Sequence, residues 1–262
     1  MATTKGITVK TRDGATVHGY LTTPKGTDKN LPMVVLPHGG PHGVRDHWSY
    51  DWEVQLLANR GYAVLQVNYR GSGGYGQTFE QAGYKKWGTL MQDDLTDATK
   101  AMITQGVADA GRVCMYGASY GGYASLMGAV RELDLYRFVV GSAGVYNLPM
   151  MFEKGDALDF DSSVAYCKDV LGTDTADLKS RSPVFNVAKI KAQVLLIHGE
   201  QDARAPMAQV ESLKDAFDDI DKKYQWLSIG NEDHGYYDPA NRLKVYTKIL
   251  AFLDQQIGAG SL

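Results

Sequence analysis

Two rhythms of apolar and polar residues divide the chain. Near the N-terminus ITVKT and ATVHGYLTT alternate, with Asp13-Gly14 between them. Alternation at period two marks strands with one buried face, and Asp-Gly favours the tight turn of a hairpin. Beyond it the alternation gives way to short unbroken apolar runs: MVVLP, YAVLQVN, RVCMYG, RFVVGSA and AQVLLIHG. Such runs fit strands covered on both faces, as parallel strands are between layers of helix. The stretches between them carry the helical period. In MQDDLTDATKAMITQG, Leu95, Ala98 and Met102 share one stripe and Gly106 ends it. The pattern predicts an α/β fold: a mostly parallel central sheet with an antiparallel N-terminal hairpin and helices on both faces. Residues 147–182 do not fit the repeating unit, since Met150, Met151, Phe152, Phe160 and Tyr166 stand there among acidic residues. Two readings stay open: helices and loops over the top of the sheet where α/β proteins place pockets, or an ordinary excursion whose aromatics face the core.

Composition narrows the partners. A chain of 262 residues, 44% of them hydrophobic, can bury one large core, and a single domain over 1–262 is expected. The formal charge of -3 and a pI near 6.1 give no electrostatic reason to expect nucleic acid or an anionic membrane. The N-terminus lacks the apolar core of a signal peptide, and no run of about 18 apolar residues offers a membrane span, so the expected location is cytoplasmic. Cys114 and Cys167 read as two free thiols, and nothing calls for a metal or cofactor. The oligomeric state is left open, a homo-oligomer included.

The chemistry starts from GASYGG, residues 117–122. Ser119 lies between the apolar run RVCMYG and a helix-like stretch rich in small residues, with Gly117 and Gly121 two positions to either side. That is the strand, turn and helix context of a nucleophile elbow, where a β-carbon at either glycine would clash. A serine hydroxyl becomes a useful nucleophile only when an imidazole takes its proton and a carboxylate orients that imidazole. In α/β-hydrolases these partners follow in the order serine, acid, histidine. Asp202 comes after the strand AQVLLIHG, and His234 lies in NEDHG ahead of the last helix. Glu200 and Asp233 remain alternative acids. His198 is expected to hold a backbone contact, and His38, His42 and His47 precede the serine and fail the order test. The oxyanion needs donors: the N–H of Tyr120 and, from the glycine loop HGGPHG, that of Gly40. Tyr146 and Met151, beyond RFVVGSAG, are expected to line an apolar substrate pocket.

Five ordered blocks, HGGPHG, NYRGSGGYGQ, GASYGGY, HGEQDARAP and EDHGY, together resemble the catalytic domain of the prolyl oligopeptidase family of serine peptidases. The HGGPH form is most similar to its acylaminoacyl-peptidase branch. The resemblance implies an α/β-hydrolase fold, a triad of Ser119, Asp202 and His234, and an oxyanion hole from Gly40 and Tyr120. It also implies that Arg204 binds a substrate backbone carbonyl, against the plainer reading of a surface ion pair. Where prolyl oligopeptidase proper uses a tyrosine hydroxyl as an oxyanion donor, this chain has His38. NYRGSGGYG lacks the Gly-Lys-Ser/Thr ending of a phosphate loop and reads as a tight loop beside the site. Members of that family usually carry an N-terminal β-propeller, so the main departure is one of length, and a stand-alone hydrolase and the catalytic portion of a longer protein both stay open. Peptidase, carboxylesterase and a silent binding protein on the same scaffold are the competing functions; cleavage of small peptides or acyl-amino acids is the leading expectation.

Overall fold

A computed structural model describes residues 1–258. Both sequence rhythms become strands. β1 (Thr3–Lys10) and β2 (Thr16–Thr23) form the antiparallel hairpin, with Lys10 opposite Thr16. The five unbroken runs become β3 (Leu31–Val35), β4 (Ala63–Asn68), β5 (Ala108–Ala118), β6 (Phe138–Ser142) and β7 (Gln193–Gly199), and the more mixed QWLSI adds β8 (Gln225–Ile229). All eight join in one sheet of order β1-β2-β4-β3-β5-β6-β7-β8. β2 is antiparallel to β4, and every pair from β4 to β8 is parallel.

Between the strands run α1 (Trp52–Ala58), α2 (Gln77–Gln81), α3 (Leu90–Thr104), α4 (Tyr120–Arg131), α5 (Asp161–Leu171), α6 (Thr175–Ser180), α7 (Met207–Asp218) and, after β8, α8 (Pro239–Ile257). Successive side chains of a strand point to opposite faces, so an unbroken apolar run feeds two cores. In β5, Val113 and Met115 join one core together with Leu95 of α3, Leu126 of α4 and Leu213 of α7. Cys114 and Tyr116 pack on the other face with Leu57 of α1 and Ile249 of α8. Each such side chain removed from water contributes roughly 1.5–3 kcal/mol.

One buried ion pair ties three elements of this frame. Arg70, after β4, donates from Nη2 to Asp94 of α3 at 2.5 Å and from Nη1 to Asp13 in the hairpin turn at 2.5 Å. The Asp94 side chain is fully buried, so losing either partner would strand a charge at a cost of about 3–5 kcal/mol.

Residues 147–182 act as a cover, and it is their aliphatic residues rather than Phe160 and Tyr166 that face the core. Leu148, Val170, Leu171 and Leu178 are buried in the core, while Met151, Phe160 and Tyr166 wall a cavity beside the glycine loop after β3. Both cysteines are free thiols. No described helix is long and apolar enough to cross a membrane.

Candidate active site

Ser119 sits on the turn between β5 and α4 with φ 57° and ψ -121°, a left-handed conformation that a β-carbon disfavours. The turn is that sharp because the strand and helix almost touch. A β-carbon on Gly117 would lie 2.6 Å from the backbone of Gly121, and one on Gly121 would lie 2.2 Å from the Pro37 carbonyl oxygen. The Ser119 N–H donates to the Ser142 carbonyl of β6 at 2.9 Å, which fastens the elbow to the next strand.

Two backbone donors lie near the serine. Tyr120 opens α4, so its N–H has no partner within the helix, and the helix dipole adds partial positive charge there. Gly40 belongs to the loop after β3, whose neighbouring Gly39 would bring a β-carbon to 3.5 Å from Ser119 Cβ. Gly40 takes φ 111°, and a side chain there would run into Val44. Among the described residues neither Tyr120 nor Gly40 donates its N–H elsewhere.

The second loop, NYRGSGGYG, braces the first. Ser72 Oγ is 2.9 Å from His38 Nε2, the Gly73 N–H donates to the Val44 carbonyl at 2.9 Å, and the Tyr69 hydroxyl donates to the His38 carbonyl at 2.7 Å. The His38 ring stacks on Tyr69 with centroids 4.4 Å apart. Burial pushes His38 down to about 4. His42 is held by a residue that no local pattern links to it: Trp87 Nε1 donates to His42 Nε2 at 3.1 Å. That bond fixes His42 as the tautomer with its proton on Nδ1, and burial pushes its pKa down to about 4.

Asp202 and His234 meet as the order rule anticipates. His234 Nδ1 is 2.8 Å from Asp202 Oδ2, and Asp202 Oδ1 accepts the Ala205 N–H at 2.8 Å. The Asp202 side chain is fully buried and that of His234 is 28% exposed, so the imidazole has one face toward solvent. With Nδ1–H directed at the carboxylate, Nε2 presents its lone pair outward. The Ser119 hydroxyl makes no hydrogen bond to it; such contacts are often long before substrate binds and tighten with it. His198 holds the expected backbone contact, with Nε2 2.7 Å from the Ala205 carbonyl, and burial lowers its pKa. Neither alternative acid reaches His234. Glu200 accepts the Ser228 hydroxyl, and Asp233 accepts the Gly235 N–H of its own loop at 3.3 Å.

The histidine loop has its own anchor. Glu232, 3% exposed, accepts the N–H groups of Tyr237 and Asp238 at 2.9 Å each and the Asn241 amide at 3.0 Å. These bonds lower its pKa and clamp the turn that carries His234. The Tyr236 hydroxyl is 2.7 Å from Ser142 Oγ, so one residue of β6 touches both the elbow and the histidine loop.

Met151 and Arg204 reach a cavity of about 520 Å³ that also takes in Gly40, with Trp87, Val170 and Leu171 among its walls. Arg204 is mostly exposed. Its Nε donates to Asp156 at 2.8 Å, which raises its pKa, and its two terminal NH₂ groups have no hydrogen-bond partner among the described residues. Tyr146 departs from the expectation. It is fully buried and turned into the core, because Gly141 and Gly144 open the space that its ring fills. It therefore lines no substrate cavity.

Two outcomes follow. Ser119→Gly and Ser119→Ala both lose the hydroxyl, yet only glycine relieves the strained backbone, so the glycine variant should be the more stable by about 1 kcal/mol in urea unfolding. Because folded His42 resists protonation until about pH 4 while the unfolded residue titrates near 6.5, its contribution is complete above 6.5 and falls away as pH drops toward 4. Urea midpoints at about pH 7 and about pH 4.5 should accordingly show wild type losing stability relative to His42→Gln on acidification.

The prolyl oligopeptidase family profile matches residues 48–260. Dipeptidyl aminopeptidase BIII of Pseudoxanthomonas mexicana is 34% identical, over 96% of this chain and 38% of its own length. The acylamino-acid-releasing enzyme of Sus scrofa is 32% identical, over 68% of this chain and 25% of its own. A puromycin-hydrolyzing peptidase from Mycobacterium tuberculosis superposes with a TM-score of 0.90 at 28% identity, over 98% of this chain and 40% of that one. The chain thus spans about two fifths or less of the length of these relatives. On its sequence match and its α/β-hydrolase fold alike, it belongs to the prolyl oligopeptidase family.

Proposed function

We propose that the chain is a serine hydrolase that cleaves the amide bond of small peptides or acyl-amino acids through an acyl-enzyme. The observation that carries this reading is the 2.8 Å contact between His234 Nδ1 and Asp202, in a chain whose elbow strains Ser119 outward. Ser119 Oγ attacks the carbonyl carbon, and its proton passes to His234 Nε2 as the new bond forms. Asp202 keeps the ring oriented and stabilises the imidazolium. The N–H groups of Gly40 and Tyr120 take the charge that develops on the oxygen, an interaction stronger in the transition state than in the ground state. His234 then gives its proton to the departing nitrogen, and water repeats the sequence to free the acid.

The cavity beside Gly40 receives the acyl-side residue. Its walls of Met151, Trp87, Val170 and Leu171 favour a large apolar side chain, and the free face of the Arg204 guanidinium is placed for a substrate carbonyl. The named relatives, a dipeptidyl aminopeptidase and an acylamino-acid-releasing enzyme, differ in whether the substrate's amino end is free. We favour the blocked end, in keeping with the HGGPH form of the glycine loop.

Turnover of acetyl-phenylalanine anilide, of the same anilide with a free amino group, and of a short nitrophenyl ester tests this directly. The acetylated anilide should be the better amide, and Ser119→Ala should abolish all three activities in a folded protein. Asp202→Asn should lower kcat by about four orders of magnitude with little change in KM. Cleavage of the ester alone would reduce the reading to an esterase, and undiminished turnover by Ser119→Ala would end it.

A further inference from the structure

A second cavity, of about 270 Å³, reaches the candidate site at Ala118 and His234. It is walled by Ala118, the residue before Ser119, and by His234, and it shares no residue with the cavity that holds Gly40, Met151 and Arg204. Through Trp52, Arg242 and Tyr246 it continues into an open groove of about 510 Å³. Aromatic rings dominate this trough. Trp52 meets Tyr246 edge-on at 4.7 Å, and Trp52 and Tyr237 are 45% and 69% exposed. Neither exposed ring is needed to close either core.

The chemistry assigns the two cavities different halves of a substrate. The acyl carbonyl oxygen has to face Gly40 and Tyr120, which places the acyl side chain in the cavity that contains Gly40. The departing nitrogen has to lie at His234 Nε2, which supplies its proton when the carbon–nitrogen bond breaks. Atoms beyond that nitrogen extend to the side where His234 is itself a wall. At that end stands Arg242, exposed on the first turn of α8. Its Nε donates to the Tyr236 carbonyl at 3.2 Å and its guanidinium lies 5.8 Å from the Trp52 ring. Its terminal NH₂ groups have no carboxylate partner among the described residues.

We propose that this trough is the leaving-group site, and that it takes a residue with an aromatic side chain and a free α-carboxylate, the carboxylate pairing with Arg242. The proposal rests on the acyl-enzyme reading above. An Arg fork matches a carboxylate, and the aromatic walls give a flat apolar side chain area to cover. Glu53, the one carboxyl group on these walls, accepts the Tyr116 hydroxyl at 2.5 Å, and burial raises its pKa, so it opposes an anion less than an exposed carboxylate would.

Acyl transfer reads this site without depending on amide cleavage. With acetyl-phenylalanine methyl ester as donor, an added amine attacks the acyl carbon and gives its proton to His234. Ser119 then leaves with that proton, and a dipeptide forms in place of the free acid. At equal free-base concentration, L-phenylalanine should intercept about fivefold better than L-phenylalaninamide, the scale of one partly exposed charge pair. It should also intercept better than glycine, an advantage that Trp52→Ala reduces. Arg242→Glu should reverse the preference in favour of the amide, a gain that damage to the fold could not produce. Equal interception by acid and amide in wild type, no interception while a fluorophosphonate still labels Ser119, or an unchanged ratio in Arg242→Glu would overturn the assignment. Failure of Ser119 to label would overturn it together with the acyl-enzyme reading.

Discussion

The close approach of α4 to β5 is the constraint on which the candidate site depends. With Gly117 and Gly121 in backbone contact, the chain can pass from strand to helix only by forcing the residue between them into a left-handed conformation. That strain is held by the sheet and by the Ser119–Ser142 hydrogen bond, and it is repaid in position. Ser119 is carried at the end of β5, and the N–H of Tyr120 has no partner among the described residues at the positive end of the helix. The Tyr120 ring locks the arrangement from below, packed against Tyr69, Trp87 and Tyr123.

Every other part of the site is a loop fastened to this elbow or to the strands beside it. The glycine loop after β3 is braced by His38–Ser72 and by Trp87–His42. The acid is set by the Ala205 N–H, and the histidine turn by Glu232. Ser142 joins two of these assemblies, giving its carbonyl to the elbow and its hydroxyl to Tyr236. Loops positioned by a rigid scaffold are the usual carriers of chemistry, and here the scaffold is two cores pressed on a sheet whose central strands are fully buried.

Much of this was legible in the order of residues because it is local. The elbow is written in six consecutive residues, Asp202 closely follows the apolar run AQVLLIHG, and His234 lies in NEDHG ahead of the last helix. The parallel sheet followed from runs that lacked alternation. What stayed hidden were contacts that cross long stretches of chain: Trp87 with His42, 45 residues apart, and Tyr116 with Glu53, 63 apart, leave no trace in periodicity. Tyr146 misled for a related reason. An aromatic residue just past a strand reads alike whether it faces a pocket or the core, and here the two small residues Gly141 and Gly144 decided for the core. Arg204 was legible as a cation near the site, but not its bond to Asp156, which fixes one edge of the guanidinium and frees the other.

If this fold makes one serine nucleophilic, it does so through His234. The most direct measurement is the rate at which a fluorophosphonate labels the intact chain, with the modified residue located by peptide mass spectrometry, in wild type and in His234→Ala. Label should fall on Ser119 alone and be slowed at least about a thousandfold in the folded variant. Label on another residue, or equal rates in the two proteins, would contradict it.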